Sequence, residues 1–89
     1  MKNKVERIMV SDYMKLSRDK LTGLAQLIEN EYKPKTTTKL YDHVKECKHK
    51  EDIIAEIILY EAELLSRYND ERHEIENNFI TIFNSIKHS

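Results

Sequence analysis

Apolar residues recur at alternating intervals of four and three along the last part of the chain. The series begins at Ile54, ends at Ile86 and has two charged members, Glu61 and Arg72. This heptad spacing is typical of a helix that packs against another helix, because water cannot satisfy such a strip. The heptad series consists of Ile54, Ile58, Glu61, Leu65, Tyr68, Arg72, Ile75, Phe79, Ile82 and Ile86. We expect its partner to be another helix of the chain or a second copy.

Helical spacing of apolar residues also predicts the rest of the architecture. We expect an all-α bundle of three to four helices in a single domain, residues 1–89, and the series above predicts a coiled-coil-like C-terminal region. The helices are predicted at approximately residues 4–32, 38–48, 52–68 and 70–88, with a connector at 33–37. The third is apolar over more than half its circumference and should form the buried centre.

Two boundaries leave alternatives open. Ser17 can cap a helix, and the neighbouring Leu16 and Leu21 are placed as a hydrophobic staple, so a bend near residues 11–17 competes with one long first helix. Near residue 69, the chain either turns into a compact bundle, which we favour, or continues as a rod of about 50 Å at 1.5 Å per residue.

Composition agrees with a small helical protein. The 89 residues contain one Gly and one Pro, the two residues that most disfavour helix interiors. A domain of this size buries only about 60% of its unfolded surface, so self-association would stabilise it. With one cysteine, Cys47, an intramolecular disulfide cannot form, and the N-terminus lacks the pattern of a signal peptide. We expect a cytoplasmic protein with no membrane association.

Charge is distributed unevenly along the chain. Residues 1–50 carry an excess of five positive charges, whereas residues 51–89 carry an excess of six negative charges. The two halves either pack side by side with their opposite charges adjacent, which we favour, or the basic half meets an acidic partner such as nucleic acid.

Candidate metal and catalytic residues are few. His43 and Cys47 lie four residues apart, but two ligands do not make a structural zinc site. The segment 73–77 begins like a zinc-protease helix and has Asn77 where the second histidine must stand. Glu61 occupies a position that should be apolar, and we interpret it either as a residue that sets helix register or as a polar residue exposed at the edge of the interface. The sequence therefore predicts no enzyme, no catalytic or metal site, no cofactor and no small-molecule substrate.

Nucleic-acid binding is the alternative function. The region 17–50 has a helix, a connector and a second helix, and four lysines share the short segment around the second helix: Lys39, Lys45, Lys48 and Lys50. These side chains can contact phosphates. Against this, the connector is longer than a helix-turn-helix turn, and Asp42 and Glu46 would face the phosphates.

Two short strings resemble segments of the small Hha-type modulators of nucleoid proteins. They are residues 11–14, Ser-Asp-Tyr-Met, and residues 39–42, Lys-Leu-Tyr-Asp. They cover about a tenth of the chain, and the connector and length differ from that family. We transfer no fold, function or residue role from this resemblance.

The favoured function is stoichiometric, helix-mediated binding to another protein. The class includes adaptors, inhibitors, immunity or antitoxin-like factors and regulators, and the Lys-rich, Ile-rich composition suggests a bacterial or phage source. We expect a homodimer or a protein partner on the last helix, since apolar groups surround much of it. The predicted partner-binding residues are Tyr68, Ile75, Phe79, Ile82, Phe83 and Ile86.

Overall fold

Helices account for all the regular structure in the computed structural model, which describes residues 7–88. Within that range there is no strand, and the five α-helices are α1 (Val10–Met14), α2 (Arg18–Tyr32), α3 (Leu40–Val44), α4 (Lys50–Arg67) and α5 (Arg72–Lys87). Single 3-10 turns occupy Lys33–Lys35 and Asn69–Glu71. The all-α prediction is confirmed, but these residues form five helices rather than three or four.

The predicted helix 4–32 is divided at residues 15–17. Ser17 caps α2, since its side chain accepts a hydrogen bond from the backbone N–H of Lys20 at 3.2 Å. Leu16 and Leu21 are both buried, as a hydrophobic staple requires. The bend allows α1 to lie against α4 while Tyr13 still reaches the core. Residues 4–6 of the predicted helix lie outside the described residues.

The predicted helix 38–48 is shorter than expected, because α3 has only five residues. The carboxylate of Glu29 accepts a hydrogen bond from the backbone N–H of Tyr41 at 2.6 Å and so caps its first turn. Leu40 and Val44 bury one face of α3. Beyond Val44 the chain offers only the partly buried Cys47 before a charged run, so no apolar stripe supports another turn.

The core lies around α2 and α4: α2 packs against α3, α4 and α5, and α4 contacts α1, α2, α3 and α5. The third predicted helix therefore shares the central position with α2, and each of the two contributes five buried residues. Two aromatic contacts attach α5 to the N-terminal half: Tyr32 stacks on Phe79 with ring centroids 5.7 Å apart, and Tyr13 meets Phe83 edge-on at 5.5 Å. Such pairs stabilise beyond simple burial.

The chain turns between α4 and α5. The hydroxyl of Tyr68 donates to the carbonyl of Lys35 at 2.6 Å, and the Lys35 ammonium pairs with Glu71 at 2.7 Å. Both contacts hold the turn against the connector. The largest dimension is 35 Å, so the rod alternative is wrong. No helix in residues 7–88 has the length and apolar character needed to cross a bilayer.

The main buried strip of α4 is displaced by one residue from the heptad series. It consists of Ile53, Ile57, Tyr60 and Leu64, all at most 2% exposed, and Ile54, the first member of the heptad series, is also buried at 3%. Ile58, a member of the series, is instead 38% exposed, and Glu61 and Leu65 are half-buried. In α5 the buried residues are Ile75, Phe79 and Phe83.

Candidate protein-binding surface

The partner-binding residues predicted on the last helix are largely consumed by the chain itself. Ile75, Phe79 and Phe83 are each 1% exposed, so a partner cannot reach them. Tyr68, Ile82 and Ile86 are half-buried and pack against the same core. The expectation of spare apolar surface on α5 is therefore corrected. The physical reason is that α2, together with Tyr13 of α1, covers this helix.

Large apolar side chains are exposed instead on α4 and around α1. Leu59 is 63% exposed and Ile58 is 38% exposed on α4. Met9, Val10 and Met14 are 60%, 55% and 37% exposed. A further exposed residue, Leu27 on α2, is 42% exposed. Single exposed leucines are common, whereas several on adjoining helices indicate a contact surface.

The exposed residues of α4 form a continuous stripe. Ala55, Ile58, Leu59 and Ala62 are all exposed, and their spacing of three, one and three residues places them on one side of a helix. At 100° per residue, this stripe lies opposite the buried strip of Ile53, Ile57, Tyr60 and Leu64. We call it the α4 apolar face. Small alanines at both ends leave room for another helix to approach closely.

The apolar residues of α1 extend this face on one side. The Lys50 ammonium, at the start of α4, donates to the carbonyl of Met14 at 2.7 Å. At the other end, Ile8 lines a groove with Glu61 and Leu65 of α4. The segment 8–14 therefore runs along α4 in the opposite direction. The α4 apolar face and Met9, Val10 and Met14 together form the α1–α4 surface.

Acidic residues border the other side of the α4 apolar face. A groove of about 420 Å³ lies between α3 and α4, and Ala55 lines it together with Glu46, Asp52 and Glu56. Lys48 is also in this groove, and His43 Nδ1 lies 3.5 Å from a carboxylate oxygen of Glu56. The lining residues are His43, Glu46, Cys47, Lys48, His49, Asp52, Ala55 and Glu56. This edge carries more carboxylates than lysines.

The thiol of Cys47 faces the same groove without forming a metal centre. Its sulfur donates to the carbonyl of His43 at 3.3 Å. Burial, followed by the nearby carboxylates of Glu56 and Asp52, raises the pKa of this thiol, so the unreactive protonated form is favoured. Among residues 7–88, no group of three or more His, Cys, Asp or Glu side chains is placed to hold a metal ion.

Glu61 lies in a separate groove of about 570 Å³ between α4, α5 and residues 7–8. Burial raises the pKa of its carboxyl, and Glu76 raises it further, while Arg72 lowers it. The guanidinium of Arg72 is hydrogen-bonded to Glu76 at 3.1 Å. Partial burial and a second carboxylate nearby both disfavour the ionised form of a carboxyl group.

The four lysines of the nucleic-acid alternative make different contacts. Lys45 lies 3.5 Å from Asp42, and Lys50 is bonded to Met14 of α1. Lys48 lines the acidic groove, and Lys39 precedes α3. The predicted recognition helix is reduced to five residues, of which two are buried. This geometry does not favour the alternative.

Leu59, Ala55 and Ala62 are not members of the heptad series and were not predicted as partner-binding residues. A signal for them was present, because α4 is apolar over more than half its circumference, and one internal contact covers only part of that width. The heptad series instead predicted that the partner-binding residues lie mainly on the last helix. The composition of α5 is less apolar than that of α4, and three of its large apolar residues, Ile75, Phe79 and Phe83, are buried in the core.

Comparison with protein-family models, with curated proteins and with solved structures finds no match to this chain. The functional conclusion therefore depends on the α1–α4 surface.

Proposed function

We propose that this protein is a non-enzymatic interaction module that acts by stoichiometric binding of a helix from another polypeptide. Adaptors, inhibitors, and immunity or antitoxin-like factors work in this way. The contact is the α1–α4 surface rather than the last helix. The observation that carries the proposal is the α4 apolar face, whose central residue Leu59 is 63% exposed on a helix already buried on its opposite side.

A helix suits this surface because the spacing of the exposed side chains on α4 matches the grooves between the side chains of another helix. Side chains at positions i, i+3, i+4 and i+7 of α4 form ridges that a second helix accepts between its own side chains. Recognition of an amphipathic helix by an apolar groove is a recurring mode in small regulatory proteins. The methionines beside the face add flexible side chains that adapt to the partner's shape.

The size of the surface favours reversible binding. The exposed fractions of its five large residues amount to about two and a half whole side chains. Burying one large aliphatic side chain contributes about 1.5–3 kcal/mol, so the apolar gain is about 4–7 kcal/mol before the cost of association. That scale is typical of a complex that forms and dissociates, with polar contacts adding to its affinity.

Affinity capture with matched baits tests the proposal. The baits are the wild-type protein, Leu59→Glu on the surface and Leu27→Glu on α2, where Leu27 is 42% exposed. Both substitutions place a charge at an exposed leucine, so all three proteins should show the same thermal unfolding. We expect the wild type and Leu27→Glu to retain the same protein from lysate of the source organism in a fixed molar ratio. Leu59→Glu should lose it, and an unchanged capture by Leu59→Glu would refute the proposal.

A further inference from the structure

We propose that the occupant of the α1–α4 surface is a basic amphipathic helix, with an aliphatic stripe flanked by Lys or Arg. This inference rests on the proposed function and adds the chemistry of the partner. The central contact is aliphatic, so the partner needs a matching stripe. The positive charge proposed for the residues that flank the partner's stripe follows from the acidic edge of the α4 apolar face.

One edge of this face is acidic. Asp52 and Glu56 line the groove beside Ala55, and Glu46 of the neighbouring turn lines the same groove. Glu51 precedes Ala55 by four residues and therefore lies one turn away on the same side of α4. A helix seated on the face would place its flanking residues against these carboxylates, and cationic flanks would be attracted there.

Two of these carboxylates are available to a partner. Glu51 and Asp52 are exposed, and neither forms an ion pair with any residue in the range 7–88. Glu63, in contrast, accepts hydrogen bonds from Thr36 at 3.1 Å and Thr38 at 2.8 Å and pairs with Arg67. Glu63 is thus used internally, whereas Glu51 and Asp52, at the N-terminal end of the face, are open.

A second copy of the chain fits this edge less well. In an antiparallel pair of α4 helices related by a two-fold axis, each edge of one helix faces the same edge of its mate. With the axis through Leu59, the reversed direction places Glu56 near Glu63 of the partner subunit, an unfavourable pair of like charges, and Asp52 near Arg67 of the partner subunit, a residue that is already paired with Glu63. A basic helix has no such repulsion.

Two designed peptides test the inference on the intact protein. The first is an 18-residue helix with leucines at i, i+3, i+4 and i+7 and lysines on both flanks, and the second has glutamates in place of the lysines. Fluorescence anisotropy of labelled peptides measures both affinities. We expect the lysine peptide to bind one to one and at least tenfold more tightly than the glutamate peptide, with an affinity that falls as salt rises.

Protein variants locate the contact. Leu59→Glu should lower the affinity for the lysine peptide more than about tenfold, since it replaces the apolar centre of the surface by a charge. The double variant Glu51→Gln, Asp52→Asn should weaken it about three- to tenfold, as two exposed ion pairs are lost. The matched control is Asp70→Asn, Glu74→Gln, which removes the same charge from exposed positions on another part of the surface. It should change the affinity less than twofold.

The outcomes separate this inference from the proposed function. If the wild type binds both peptides equally and Leu59→Glu binds neither, the proposal of a basic partner is overturned. The proposed protein-binding surface would remain. A wild-type dimer in sedimentation that Leu59→Glu dissociates would assign the surface to a second copy and overturn the basic partner. Undiminished binding of the lysine peptide to Leu59→Glu would overturn both.

Discussion

Replacing Phe79 by alanine distinguishes a core role of α5 from an interface role. The Phe79 ring is 1% exposed and stacks on Tyr32 at a centroid distance of 5.7 Å. Truncation removes the whole ring from this packed site and leaves a cavity between α2 and α5. If α5 were instead a partner-binding helix, the same change would leave the isolated chain nearly as stable as before.

The expected loss is large for a chain of this size. Removing a buried phenylalanine side chain typically costs about 3–5 kcal/mol. The total free energy of unfolding of an 89-residue domain is on the order of 4–13 kcal/mol, so this one change removes a large fraction of it. Each kcal/mol lowers the midpoint of thermal unfolding by about 4–8 °C in small domains, which predicts a fall of roughly 20 °C.

Thermal and urea unfolding followed by circular dichroism measure this effect. Leu59→Ala is the matched control, because it truncates a large apolar residue that is 63% exposed, and it should change the unfolding free energy by at most about 0.5 kcal/mol. The midpoint of Phe79→Ala should not vary with protein concentration. A loss below about 1 kcal/mol, or a midpoint that rises with concentration, would contradict the core assignment.

Three further substitutions test individual contacts. Tyr60→Phe should leave the unfolding free energy unchanged or raise it by up to about 1 kcal/mol in urea unfolding, because the buried Tyr60 hydroxyl has no hydrogen-bond partner among the described residues; a clear loss would reveal a hidden partner. Gly23→Ala should stabilise α2 by about 0.5–1 kcal/mol, since an added Cβ would lie 3.8 Å from Ile86 in ordinary contact; a lower thermal midpoint would show that this space is occupied. Burial raises the pKa of Glu61 above its usual value of 4.5, so the folded state holds this proton more tightly and stability falls as pH rises through the folded pKa. Glu61→Gln should therefore be more stable than the wild type at pH 7, with a difference that shrinks toward acidic pH; a difference independent of pH would refute this account.

The helical class could be predicted from the sequence, but the register of α4 could not. Ile53 and Ile54, and Ile57 and Ile58, are adjacent apolar pairs, so two strips displaced by one residue fit equally well. Packing against the other helices buries Ile53, Ile54 and Ile57 and leaves Ile58 38% exposed. Glu61 within the heptad series was the local sign that the other strip is less buried.

Helix boundaries followed local chemistry where a cap was present. The Ser17 cap and the staple of Leu16 and Leu21 mark the start of α2, and the alternative bend named there is the one found. The start of α3 was not predictable from local capping, since its first turn is capped by the distant Glu29. The candidate surface depends on which apolar residues the core leaves uncovered, and that is a property of the whole packing arrangement.

The opposite sides of α4 have a consequence for how this protein diversifies. Residues that hold the fold and residues that face outward alternate along one helix, yet they share no position. Substitutions at 55, 58, 59 and 62 should therefore carry little penalty to folding and, under the proposed function, change binding preference, whereas those at 53, 57, 60 and 64 should cost stability. Descendants of one ancestral scaffold could acquire different targets through a handful of changes on a single helix.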